Sequence, residues 1–167
     1  MTRADTVVTF AVADSLFAVE VGIVQEILSA QVPTRLPNAP PHLMGLIDVR
    51  GASVPLLDLR RMLGEAPAQD NDDTRIMMLS LRGQDRDHLL ALRVDRVIEV
   101  CALDNDGEVL PVAEADLVAW DPRVLRGIGR RDGRIVALLD ILAVFDTSEL
   151  TSLERRTRQA EDLTCAN

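Results

Sequence analysis

Residues Pro40 to Leu63 read PPHLMGLIDVRGASVPLLDLRRML, and a second version of this stretch, PRVLRGIGRRDGRIVALLDILAVF, occupies Pro122 to Phe145. At a constant offset of 82 the two stretches align without a gap and share eight of 24 residues. The identities fall on glycines and on one apolar run, which indicates a duplicated structural unit. The identical pairs are Pro40/Pro122, Leu43/Leu125, Gly45/Gly127, Gly51/Gly133, Val54/Val136, Leu56/Leu138, Leu57/Leu139 and Asp58/Asp140.

The duplicated unit is predicted to be a β-hairpin. Two apolar runs, Leu46 to Val49 and Val54 to Leu57, flank a turn over Arg50 to Ser53. Gly51 can supply the positive φ that a tight turn needs. In the second copy the turn contains Asp-Gly at positions 132 and 133, which is among the strongest hairpin signals in a sequence.

A second repeated signal precedes the hairpin in each half of the chain. The segment FAVEVGIVQEI, Phe17 to Ile27, matches LALRVDRVIEV, Leu90 to Val100, at an offset of 73, and Glu26 and Glu99 are among the identical residues. The change of offset from 73 to 82 means that the second copy carries nine extra residues within Cys101 to Trp120. We expect a longer loop there.

Short helical pieces are predicted at two places. Gly22 to Leu28 has apolar residues at helical spacing over little more than one turn. Asp58 precedes the run LRRML, where its carboxylate can cap free backbone N–H groups, and the duplication makes Asp140 its equivalent.

These signals predict an all-β domain over 5–146, with one repeat at about 6–64, an acidic linker at about 65–73 and a second repeat at about 74–146. Each half contains about five short strands and no helix long enough to cover an open sheet. Two small barrels are therefore expected, since closure of a sheet removes its edges. The weakly amphipathic tail at 147–167 is predicted to form a short helix.

Composition restricts the partners and the compartment. A formal charge of −9 and only four aromatic residues argue against a nucleic-acid partner, which needs clustered cations and stacking rings. Cys101 and Cys165 are the two cysteines, which suits a reducing compartment. The first residues lack the apolar core of a signal peptide, and no long apolar run follows. We expect a cytoplasmic protein that reaches membranes only through partners.

Few residues in this chain could carry out catalysis. The chain has two histidines and no tyrosine, and it lacks a glycine-rich phosphate loop. A hydrolase or metal enzyme would need His42, His88, Cys101 or Asp58 to converge, and neither histidine has a neighbour at ligand or triad spacing. We therefore predict no catalytic residues, no cofactor and no metal.

One position breaks the repeat in a way that suggests function. Arg50 stands where the second copy has Asp132. Composition alone favours a solvated turn residue, whereas the asymmetry favours a role that only one copy performs.

The ordered segments FAVEVGIVQEIL, TRLPNAPPHLMGLIDVRGASVPLLDLRRMLG, ALRVDRVIEV and LRGIGRRDGRIVALLDI resemble the CheW-like domain of bacterial chemotaxis over Val7 to Phe145. The resemblance implies two five-stranded SH3-like barrels around a shared hydrophobic core. It also implies a non-catalytic adaptor, monomeric when free, that couples methyl-accepting chemoreceptors to the histidine kinase CheA in two-component signal transduction. The alternative is an adaptor of the same fold in a chemosensory pathway with pilus, gliding or second-messenger output.

The family motif at the hairpin turn is Asn-Leu-Arg-Gly, and this chain has Asp48, Val49, Arg50 and Gly51 there. The resemblance implies that Arg50 binds partner proteins and that Glu26 pairs with it. Asp48 in place of asparagine is a departure that could hold Arg50 differently. The resemblance implies that five apolar residues supply surface around this pair: Val24, Ile27, Leu46, Ile47 and Val49. The predicted protein-binding residues are Val24, Glu26, Ile27, Leu46, Ile47, Asp48, Val49, Arg50 and Gly51.

Overall fold

The structure is a computed structural model that describes residues 2–3, 6–83, 86–103, 108–109 and 125–141. Most of the regular structure in these residues is β. The strands are β1 (Thr2–Arg3), β2 (Val7–Val12), β3 (Ser15–Glu20), β4 (Val24–Ser29), β5 (Leu43–Val49), β6 (Ala52–Asp58), β7 (Arg75–Arg82), β8 (Asp87–Val94), β9 (Arg96–Cys101), β10 (Glu108–Val109), β11 (Leu125–Arg131) and β12 (Arg134–Leu139). A 3-10 turn covers Val21–Ile23, and one helix, α1, covers Leu59–Met62.

Two five-stranded sheets organise the chain, as the sequence predicted. One sheet has the order β4-β7-β8-β6-β5 and uses a continuous segment, so we call it the central barrel. The other sheet has the order β11-β12-β3-β2-β9. Its strands come before and after the segment that forms the central barrel, so we call it the terminal barrel. The short strands β1 and β10 pair separately.

Each half of the duplication contributes strands to both barrels. The hairpin β5–β6 of the first half joins β8 of the second half through a parallel ladder that pairs Leu56 with Ala91. The hairpin β11–β12 of the second half joins β3 of the first half in the same way, pairing Leu138 with Ala18. The predicted number of barrels is confirmed, and neither barrel is built from one half of the duplication alone.

Both duplicated hairpins have the predicted location and the same register. The first turn is shorter than expected, since Val49 pairs with Ala52 and only Arg50 and Gly51 lie between them. Their φ angles are 52° and 85°, and positions 132 and 133 have 51° and 76°. Positive φ at both central residues is the requirement of a type I′ turn, whose twist matches that of the flanking strands.

The core explains why the duplicated strands are apolar without interruption. Leu43 of β5 and Leu57 of β6 enter a core shared by both sheets, in which Phe10 and Phe17 stack with ring centroids 6.0 Å apart. The alternate residues Val54 and Leu56 enter a smaller cluster made only by the central barrel. Because side chains alternate across a strand, a strand buried on both faces must be apolar throughout. The terminal barrel has its own cluster, formed by Val7, Ala18, Leu103, Val136 and Leu138.

The helical turn predicted over Gly22 to Leu28 is confined to its beginning. The 3-10 turn ends at Ile23, and Val24 to Ser29 form β4, in which half-buried and exposed residues alternate. The ladder with β7, which pairs Glu26 with Met78, satisfies the backbone along β4. Backbone pairing at the sheet edge therefore overrides the weak helical spacing of three apolar residues.

The capped helix and the linker follow β6. Asp58 accepts a hydrogen bond of 3.0 Å from the Arg60 backbone N–H, which confirms the predicted cap. The linker at 65–73 has no regular structure, and Arg60 Nε donates to the Ala66 carbonyl oxygen at 2.7 Å. The longer loop predicted within Cys101 to Trp120 lies mostly, and the tail at 147–167 entirely, outside the described residues.

Candidate protein-binding site

Arg50 sits in a backbone conformation that opposes its side chain. Its φ of 52° lies in the left-handed region, which costs an ordinary L-residue roughly 1–2 kcal/mol and which glycine, asparagine and aspartate tolerate better. Its side chain is 75% exposed. A strained, exposed arginine at a hairpin tip points to a functional role more readily than to a structural one.

Glu26 forms the predicted ion pair with Arg50, through Oε2 and Nη2. Glu26 lies on β4 and Arg50 follows β5, and these strands are the two edges of the central barrel. The pair therefore joins the two edges. Because the Glu26 side chain is 35% exposed and Arg50 more so, solvent screening limits the contribution of the pair to about 0–1 kcal/mol.

Asp48 stabilises the turn through the backbone. Its Oδ1 accepts a hydrogen bond of 2.9 Å from the Gly51 N–H, across the turn that contains Arg50. An asparagine could accept the same bond through its carbonyl oxygen. The departure from the family motif thus keeps the turn geometry and adds a negative charge beside it.

The apolar residues predicted around the pair divide into two groups. Ile27 is an exposed large hydrophobic residue, and Val24 and Val49 are half-buried, so these three offer contact area. Leu46 and Ile47 are only 7% and 3% exposed. These two side chains belong to the interior of the protein and lie beneath the site. The expectation that they supply surface was therefore wrong.

A second glutamate–arginine pair exists in the terminal barrel and was not predicted. Arg131 Nε donates to Glu99 Oε1 at 2.9 Å, which joins β11 to β9, the two edges of that barrel. Glu99 is the repeat equivalent of Glu26, whereas Arg131 aligns with Val49, one position before the equivalent of Arg50. The sequence signal for this pair was that the repeat places a glutamate at both positions 26 and 99. The pair was missed because Arg131 lies one position before the residue that aligns with Arg50.

The electrostatics of the second pair extend to Cys101. The hydrogen bond from Arg131 holds the pKa of the Glu99 carboxyl below its ordinary value and raises the pKa of the Arg131 guanidinium. Burial raises the pKa of the Cys101 thiol, and the negative charge of Glu99 acts in the same direction. A raised pKa leaves less of the Cys101 thiol in the thiolate form, which is the nucleophilic form.

The residues that an enzyme would need are distributed over separate elements. Asp58 caps α1 and its backbone N–H donates to the His42 carbonyl oxygen at 2.9 Å. His88 is on β8 in the central barrel, and Cys101 ends β9 in the terminal barrel. In the part of the chain that the structure describes, no three histidine, cysteine or acidic residues are grouped as metal ligands. The same part contains no helix that is long and apolar enough to cross a membrane.

Comparisons with known proteins agree on one family. The family model described as CheW-like domain matches residues 6–149. The probable chemotaxis protein CheW of Rhizobium etli is 29% identical over 143 residues, covering 85% of this chain and 88% of that protein. The chemotaxis protein CheW of Bacillus subtilis is also 29% identical over 143 residues, covering 85% and 87%. The scaffolding protein TtCheW of Thermoanaerobacter tengcongensis has the same fold, with a TM-score of 0.74, 24% identity, and coverage of 87% and 95%.

Proposed function

This chain belongs to the CheW-like family of chemotaxis scaffold proteins, and we propose that it couples a CheA-type histidine kinase to the cytoplasmic tips of methyl-accepting chemoreceptors. In this role it supports control of the kinase without catalysing a reaction itself. We place the protein in the cytoplasm as a monomer when free, recruited to receptor arrays at the membrane by its partners.

The observation that carries the site assignment is the conformation of Arg50. The surface pair with Glu26 contributes about 0–1 kcal/mol, while the left-handed backbone costs roughly 1–2 kcal/mol. An arginine therefore does not stabilise this turn relative to asparagine or glycine. Contact with another protein would account for an arginine at this position.

The geometry suits recognition of a helix or of another small barrel. Exposed Ile27 and half-buried Val24 and Val49 offer apolar area next to a guanidinium with five fixed donors. Glu26 restricts the Arg50 side chain before a partner arrives, which lowers the entropy cost of ordering that side chain on binding. Arginine is also one of the residues that most often carries binding energy at interfaces.

The test compares two arginines that make the same kind of ion pair. Calorimetry with a CheA regulatory domain and with a receptor cytoplasmic fragment would be run on the unmodified protein, Arg50→Ala and Arg131→Ala. We expect Arg50→Ala to weaken at least one affinity about tenfold, equal to about 1.4 kcal/mol, and to lower kinase stimulation. Arg131→Ala should leave the same affinities within about twofold, since that arginine pairs within the other barrel.

Unchanged affinities and unchanged kinase stimulation in Arg50→Ala would contradict the site assignment. Loss of binding in both variants would point to general damage from loss of a barrel-joining pair. A pull-down from the native cytoplasm then identifies the kinase, and recovery of no chemosensory kinase would argue against the adaptor role itself.

A further inference from the structure

Asp95 occupies a crossover between the two barrels. Strand β8 ends at Val94 in the central barrel and β9 begins at Arg96 in the terminal barrel, so Asp95 is the single residue between them. Its backbone N–H donates to the Ala11 carbonyl oxygen at 3.1 Å, on β2 of the terminal barrel. Rotation about this residue would change the angle between the barrels.

The Asp95 carboxylate is bound from both sides of the crossover. Oδ2 accepts a hydrogen bond of 2.7 Å from the Ala13 N–H, in the turn between β2 and β3 of the terminal barrel. The same oxygen accepts a hydrogen bond from Arg60 Nη1, on the helix that follows β6 of the central barrel. One side chain thus connects a turn of one barrel to the helix of the other.

Arg93 supports this carboxylate from the protein interior. Its side chain is 3% exposed, and its Nη1 lies 3.5 Å from Asp95 Oδ1 and 3.9 Å from Asp58 Oδ1. Nη1 is buried without a hydrogen-bond partner in the described structure, so its charge acts on both carboxylates through space. Its Nε donates to Asp70 Oδ1 at 2.6 Å, which is a bond from the central barrel to its own linker.

We propose that Asp95 is a positioning residue that locks the relative orientation of the two barrels. The shared apolar core holds the barrels together, but hydrophobic attraction has no preferred direction. The hydrogen bonds and ion pairs of Asp95 have defined geometry and join both barrels at the crossover. The other crossover, the 3-10 turn at Val21–Ile23, has Gly22 at the repeat equivalent of Asp95 and therefore has no such side chain.

This role of Asp95 is separate from the adaptor function and does not depend on which partners the protein binds. A partner that contacts both barrels would sense their relative orientation, whereas one that contacts a single barrel would not. Asp95 would therefore control the shape of the whole adaptor from a position outside the Arg50 site.

Residual dipolar couplings in solution test the proposal directly. Amide couplings from the two five-stranded sheets are measured in weak alignment for the unmodified protein, Asp95→Ala and Asp70→Asn. We expect one alignment tensor to fit both sheets in the unmodified protein and in Asp70→Asn, which loses the charge pair with Arg93 within one barrel. In Asp95→Ala one tensor should no longer fit the couplings of both sheets, and each sheet should require an alignment tensor with its own principal axes.

Amide chemical shifts within each sheet serve as the control for intact barrels. Should Asp95→Ala fail to fold, Arg60→Gln removes the helix side of the lock and is expected to give the same separation of tensors. A single shared tensor with the original orientation, in whichever of these two variants folds, would overturn the proposal. Separate tensors in Asp70→Asn as well would also overturn it, because any loss of a charge pair would then have the same effect.

Discussion

Arg50 and Asp132 occupy the same position in two equivalent type I′ turns, with φ angles of 52° and 51°. Aspartate suits this conformation and arginine does not. The two turns therefore provide a direct comparison between a residue chosen by backbone geometry and one that the geometry disfavours.

Arg50→Asn is expected to stabilise the protein by roughly 0–1 kcal/mol, because relief of the left-handed strain exceeds loss of the exposed ion pair. Urea unfolding measures the change, provided that unfolding free energy falls with urea concentration at the same slope in both proteins. Asp132→Asn is the matched control and should shift the midpoint little. A destabilisation of more than about 1 kcal/mol by Arg50→Asn would show that the pair with Glu26 is worth more than a surface ion pair.

Gly45→Ala is expected to be strongly destabilising, by about 3 kcal/mol or more, because a Cβ would lie 2.2 Å from the Thr34 carbonyl oxygen. Thr34 and Leu46 exchange two backbone hydrogen bonds of 2.8 Å at this place, so the connector cannot withdraw without breaking them. Gly22→Ala is the control, since nothing lies within 4 Å of a Cβ there. Thermal unfolding of both variants decides the prediction, which is wrong if they behave alike.

Asp58→Asn and Asp58→Ala separate two roles of one buried carboxylate. Asparagine keeps an oxygen that accepts from the Arg60 N–H but removes the charge near Arg93, whereas alanine removes both. We expect both variants to be destabilised, and Asp58→Ala by about 1 kcal/mol more, which is the typical contribution of a helix cap. Equal unfolding free energies would mean that the cap contributes nothing.

The decrease of unfolding free energy at low pH should depend on Glu99. A carboxyl whose pKa is depressed in the folded protein contributes stability above its ordinary pKa, and that stability is lost as pH falls through the folded pKa. Unfolding free energy is therefore expected to decline below a pH of about 4.5, and Glu99→Gln should flatten part of this decline. Denaturant titrations between pH 3 and about 6 measure it. An identical decline in Glu99→Gln would exclude Glu99 as a contributor.

Hairpins, turns and the cap could be predicted because their causes are local. Gly51 and the Asp-Gly pair at 132 and 133 specify tight turns, and the position of Asp58 before LRRML specifies a cap. The pairing of Glu26 with Arg50 was predicted from the family motif rather than from spacing. Burial of Leu46 and Ile47 was missed because the strand has apolar neighbours on both faces.

The exchange of strands between the halves could not be read from the sequence. The ladder that joins the first hairpin to β8 pairs Leu56 with Ala91, and the ladder that joins the second hairpin to β3 pairs Leu138 with Ala18. Both ladders pair a leucine with an alanine, so the side chains at these positions do not distinguish one hairpin from the other. The chain passes from one barrel to the other at Val21–Ile23 and at Asp95, and the geometry of these crossovers depends on tertiary contacts.

The insertion of the central barrel within the terminal barrel has a consequence for synthesis on the ribosome. All five strands of the central barrel have been synthesised once Val94 is made, while β2 and β3 still lack β9, β11 and β12. Until β9 and β12 are available, β2 and β3 expose unpaired edges, which are templates for association with other nascent chains. The interval between synthesis of Val94 and synthesis of Leu139 is thus the one in which this protein would depend most on chaperones.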